Sequence, residues 1–193
     1  MKRFPLWLSL IFLTCACTED FSPKPKGYNR IDLPPHEYQQ LTEKHPYTFE
    51  YSKSATIQPH KSAATEPHWI DIVYPDLHAS VEITYKPIKK KQALLDEFLD
   101  DSHKLTSKHN IKATAIDQSI SVTPHGYTAM IFELSGEVPS QFQFYVTDST
   151  SNFLRGALYF PTATKNDSLS PVIEYIKLDM MHLINTVEWI KPN

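Results

Sequence analysis

The sequence predicts an α+β fold, a mostly antiparallel β-sheet packed against two main helices, and three patterns predict it. Alternating apolar and polar residues recur in short runs from Tyr47 onward. The period changes to that of a helix between Lys91 and His109, and a second helical stripe of apolar residues runs from Val172 to Val187.

The first element in chain order is an export signal. Lys2 and Arg3 precede an apolar segment from Leu6 to Leu13, too short for the roughly 20 residues that cross a bilayer. Cys17 then follows the small residue Ala16 and is followed at once by Thr18, Glu19 and Asp20. This is the pattern of a lipoprotein signal over residues 1–16, with Cys17 as the lipidated residue, a thioether-linked diacylglycerol and an acyl chain holding the protein to a membrane. Cys15 is a rival acceptor, and an ordinary cleaved signal or an uncleaved anchor helix are the simpler readings. Residues 17–35 form an extended tether of alternating prolines and charges, long enough to hold the folded domain roughly 50 Å from the lipid. Residues 36–193 form a single α+β envelope domain.

Within that domain, Tyr47–Tyr51, Trp69–Tyr74 and Ala79–Lys86 read as strands, the last with Val81, Ile83 and Tyr85 on one face. The polar, proline-containing stretch from Ser52 to Pro67 reads as an exposed loop. Leu94, Leu95, Phe98, Leu99 and Leu105 define the apolar side of the first helix, and Asn110 is its expected left-handed stop. Four strands follow, near Ala113–Thr123, Gly126–Leu134, Gln141–Thr147 and Phe153–Phe160. Short turns join them, which makes them antiparallel neighbours. Ser170 is the expected cap of the final helix and Pro171 its first residue, with Val172, Ile173, Ile176, Met180, Leu183, Ile184 and Val187 as its stripe.

Composition narrows the function. Cleavage before Cys17 leaves 177 of 193 residues, with 17 basic and 22 acidic side chains and no sustained basic run, so nucleic acid is not an expected partner. Both cysteines lie in the signal region, which leaves no thiol for redox or nucleophilic chemistry and no internal disulfide. The nine histidines, at 36, 45, 60, 68, 78, 103, 109, 125 and 182, show no metal-ligand spacing. No serine stands in a nucleophile motif, and Asp96, Glu97, Asp100 and Asp101 read as a solvated helix face. No cofactor, metal or catalytic residue is expected.

One constellation stands out. Phe142, Phe144, Val146 and Asp148 share a face of one strand, so a carboxylate ends an apolar row, and Arg155 interrupts the row of Phe153, Ala157 and Tyr159 in the next. Asp148 is expected either to cap the turn or to pair with Arg155. The two residues mark either a binding surface for a partner or a hairpin stapled by its own polar groups.

Three segments carry a resemblance: Pro23–Pro34 after the lipid cysteine, Pro46–Tyr51, and Thr147–Ser149 with Phe153–Phe160. Through them the chain resembles the gliding motility lipoproteins of the GldD type found in Bacteroidetes. The resemblance implies a lipid-anchored (palmitoylated) envelope protein required for gliding motility that works with the proteins of the motility and type IX secretion machinery. It brings no enzymatic residue, and carries over only the lipid cysteine, to Cys17. Inner membrane, outer membrane and cell surface stay open. The expected role is a non-enzymatic accessory protein that assembles or stabilises that machinery. The alternative is a cell-wall-acting enzyme or an envelope lipoprotein that binds a small ligand.

Overall fold

Seven antiparallel strands form the central sheet of the computed structural model, which describes residues 31–62, 65–161 and 166–191. Strand β1 is Tyr38–Gln40, β2 Tyr47–Thr48, β3 Glu50–Ser52, β4 Thr56–Pro59, β5 Ile70–Tyr74 and β6 Ala79–Pro87. Helix α1, Gln92–Ser107, ends in a 3-10 turn over Lys108–Ile111, and β7 (Ala113–Val122), β8 (Thr128–Gly136), β9 (Phe142–Thr147) and β10 (Asn152–Tyr159) follow. Helix α2, Asn166–Thr186, and the short β11, Glu188–Trp189, complete the order. The large sheet runs β4-β5-β6-β10-β9-β8-β7, and two small ladders, β1-β3 and β11-β2, lie apart from it. The signal segment, Cys17 and the tether as far as residue 30 lie outside the described residues.

The pleat divides the buried residues between two helices. Ile70, Ile72, Tyr74, Val81, Ile83, Tyr85, Phe142, Phe144, Val146, Leu154 and Leu158 face α2, which packs Val172, Ile176, Met180, Leu183 and Ile184 against them. The opposite face carries Phe132, Leu134, Tyr145 and Phe153, covered by Leu95 with Leu94, Phe98 and Leu99 of α1. Strand β9 is buried along its whole length because both helices cover it. At the sheet centre the Phe144 ring lies over the backbone of β10, so that a Cβ on Gly156 would lie 2.3 Å from it.

Several sequence expectations change here. The Ser52–Pro67 segment is not all loop: Thr56–Pro59 is an edge strand paired with β5, legible only as a short polar run because an edge strand needs little apolar surface. The run Tyr47–Tyr51 splits, its halves pairing with β11 and β1 in separate ladders. In α1, Leu105 is exposed, and the sheet side continues instead through Ser102 and Thr106. Each returns its hydroxyl to the carbonyl four residues back, at 2.9 and 3.0 Å, which satisfies the buried group and keeps the helix close to the sheet. Asn110 is not left-handed; it sits inside the 3-10 turn. Helix α2 begins at Asn166, so Pro171 lies within it, not at its start. Ile31, placed by sequence in the tether, packs against the α2-side core.

A buried carboxylate ties the N-terminal segment to α2. Asp179, 2% exposed, accepts hydrogen bonds from His36 Nδ1 at 2.6 Å and from Tyr74 Oη at 3.1 Å. Burial, and then Asp179, push the Tyr38 phenol up to about 12, while Tyr38 also stacks on His182 at 3.6 Å. Burial, then Asp179, hold the Tyr74 phenol far above its usual range. Removing this carboxylate leaves the buried Tyr74 hydroxyl without its acceptor and releases His36. Asp179→Ala is expected to lower the free energy of unfolding by about 3 kcal/mol, read from the denaturation midpoint. A loss within experimental error would show that the segment is held by apolar packing alone.

Candidate functional site

The turn between β9 and β10 is organised by one side chain. Asp148 Oδ1 accepts the backbone N–H groups of Thr150, Ser151 and Asn152 at 2.9, 2.7 and 3.0 Å, and Oδ2 accepts Asn152 Nδ2 at 2.6 Å. Ser149 takes a left-handed φ of 61°, and its N–H donates to Thr147 Oγ1. Burial works against the Asp148 charge, but the N–H groups of Ser151, Asn152 and Thr150 outweigh it and hold the carboxyl below its usual range.

This turn holds the entry to α1. The carbonyls of Ser151 and Thr150 accept the N–H groups of Ile88 and Lys90, both at 2.8 Å. Between them the chain turns through Lys89 and Lys90, at φ 55° and 56°, a conformation that side-chain-bearing residues enter only when their surroundings impose it. Tyr85 Oη donates to Asn152 Oδ1 at 2.7 Å and completes the connection to β6.

Beside the turn lies a cleft of about 690 Å³, with Tyr85, Tyr127 and Trp189 as aromatic walls and His68, Lys89 and Asp148 at polar positions. The Tyr127 and Trp189 rings sit 5.3 Å apart. His68 is also left-handed, at φ 70°; its carbonyl accepts Tyr47 Oη at 2.6 Å and its Nδ1 lies 3.3 Å from Nδ1 of His45. Burial, then His45, push the His68 imidazole below its ordinary value. The Trp189 indole N–H is shielded from solvent and has no partner. Two of the five left-handed non-glycine residues among those described, His68 and Lys89, line this cleft, and Lys90 and Ser149 adjoin lining residues. Backbone strain of this kind concentrates where a surface is shaped for recognition.

Arg155 is not part of this cleft. It is in register with Tyr145, on the α1 side of the sheet, whereas Asp148 continues the row of Phe142, Phe144 and Val146 on the α2 side. Pleat parity therefore separates the two residues that the sequence pattern set together. Arg155 instead donates to Gln143 Oε1 at 2.6 Å, an oxygen that also lies 3.3 Å from the Thr106 hydroxyl. Burial draws the Arg155 guanidinium down while Tyr159 and Glu82 support its charge, and burial raises Glu82 above the usual carboxylate range. Among the described residues, no group of three His, Cys, Asp or Glu side chains is arranged to hold a metal ion.

A model of the gliding motility lipoprotein GldD family matches residues 18–189 of the chain. The chain belongs to this family. Comparison of the GldD-family chain with curated proteins gave no match. Among solved structures it is similar to the solution structure of cyanobacterial PsbP (CyanoP) from Synechocystis sp. PCC 6803, at 10% identity and a TM-score of 0.48, over 84% of this chain and 98% of that one. The GldD family is named for a motility lipoprotein and not for a reaction. The sequence pattern had drawn attention to Asp148 but not to the cleft, whose walls come from six separate segments; the aromatic Trp189 was the available signal.

A pH dependence follows from Asp148. Its native pKa is depressed, so its stabilising contribution is present above the unfolded carboxylate value of about 3.9 and is lost as pH falls through the native value. Asp148→Asn keeps the shape but removes the charge. It is expected to cost about 2 kcal/mol near neutral pH and to flatten the acid limb of the stability curve, measured by urea denaturation between neutral and acidic pH. A parallel acid limb in the variant would assign the acid sensitivity to other carboxylates.

Proposed function

We propose that this GldD-family protein is a lipid-anchored, non-enzymatic accessory subunit that assembles or stabilises the envelope machinery of gliding motility and type IX secretion. The observation that carries the reading is the family match over residues 18–189, which starts one residue after Cys17. Cys17 is the lipidated residue in this reading, and residues 18–30 join the lipid to the described domain, whose Ile31 packs on the core. The membrane is one partner and the protein components of the motility and secretion machinery are the others.

The contact surface for a protein partner is the cleft of Tyr85, Tyr127 and Trp189 beside the Asp148 turn. Aromatic walls offer large apolar contact at low entropic cost, and His68, Lys89 and Asp148 supply polar groups that fix register. Nothing in this arrangement requires bond chemistry: the polar groups that cluster there, Asp148 and Asn152, are already bonded to one another and to the turn backbone.

Deleting the gene is expected to abolish both colony spreading and export of the secreted proteome, and a Cys17→Ala copy is expected to restore neither while the protein accumulates without membrane attachment. Persistence of spreading and secretion in the deletion strain would contradict the accessory role, and full rescue by Cys17→Ala would contradict the anchor.

A further inference from the structure

The two edges of the large sheet are built differently. At one edge, β4 is four residues long and ends on Pro59, which has no N–H to offer a neighbour, so that edge is closed to further pairing. At the other, β7 is ten residues long, contains no Pro, Lys or Arg, and carries Asp117 as its one charge. Among the described residues no strand lies beyond it. Its outer side chains are also unusually apolar, since Ile120 and Val122 are 71% and 68% exposed. A long, unpaired edge with exposed apolar side chains is a template for another strand.

We infer that β7 pairs antiparallel with β7 of a second copy of this chain, joining two seven-stranded sheets across a two-fold axis at Gln118. The register follows from symmetry. Cross-strand partners share a face, so an axis normal to the sheet must pass through a residue that opposes itself. The irregularity between Ala113 and Ala115 confines regular pairing to residues 115–122, which centres the axis on Gln118 or Ser119. An axis at Asp117 would set two carboxylates face to face. An axis at Ser119 opposes Gln118 to Ile120 in both halves. The axis at Gln118 sets Ile116 against Ile120 twice, Asp117 against Ser119 and Ala115 against Ser121. Ile116 already packs with Met130, Phe132 and Leu134 under α1, so this pairing carries the α1-side apolar layer across the axis and covers Ile120.

Contact along one strand is small for a stable dimer, so the test traps it covalently. The full-length chain carrying Gln118→Cys, oxidised in its membranes and run on a non-reducing gel, is expected to give roughly tenfold more dimer than Ser121→Cys, because self-opposed Cα atoms lie within disulfide reach and residues 121 would lie about 20 Å apart. The unsubstituted chain sets the background. Adding Ile120→Lys is expected to abolish the Gln118→Cys dimer while leaving the unfolding midpoint unchanged, since Ile120 is exposed in the single copy. Dimer at background for Gln118→Cys, equal trapping at 118 and 121, or indifference to Ile120→Lys would each overturn the inference; the first would leave the edge to a strand of another protein.

Discussion

The pairing of β10 with β6 on one side and β9 on the other positions nearly everything else in the molecule. Leu154 and Leu158 face α2 and Phe153 faces α1, so a change of register by one residue would exchange the two apolar layers and bury Arg155 against α2. Gly156 allows no slack, because the Phe144 ring fills the space that a Cβ would need. The register itself is set at the hairpin turn, where the Asp148 carboxylate gathers three backbone N–H groups and an amide. A charge in a turn thus fixes the geometry of an apolar core two layers deep.

From that turn the constraint passes outward to the candidate site. The carbonyls of Thr150 and Ser151 hold the left-handed passage at Lys89 and Lys90, and Asn152 holds Tyr85, so one wall and one charged rim of the cleft depend on the same four-residue turn. The opposite walls come from the chain end: β11 pairs Trp189 with Tyr47, which places the indole beside Tyr127. The second fixed point is Asp179, which secures the segment around His36 to helix α2. That carboxylate is itself buried, and losing it leaves the Tyr74 hydroxyl unpaired inside the core.

Much of the fold was legible in the sequence because its strands alternate and its helices carry stripes. β5, β6 and the four-strand meander follow period two, and the α2 stripe needed only the period of a helix. What escaped had a physical reason in each case. β4 is an edge strand with little apolar surface, and β2 and β3 belong to different ladders although they are nearly contiguous. Asp179 sits on the buried stripe between Ile176 and Leu183, a polar residue at a core position that could have been read as a buried anchor. The opposite facing of Asp148 and Arg155 depended on the hairpin register, which the turn length sets and composition does not reveal. The cleft joins residues far apart in sequence, so no spacing announces it.

The proposed role stands or falls on the cleft beside the Asp148 turn as the surface through which this GldD-family protein serves motility. Colony spreading of a deletion strain carrying a Tyr127→Ala, Lys89→Glu copy tests it, with membrane attachment and the unfolding midpoint of the same protein measured alongside. Tyr127 is half-buried and Lys89 exposed, so the variant is expected to be folded and membrane-bound yet to restore little or no spreading. Full spreading by a folded, attached variant would remove the cleft from the function.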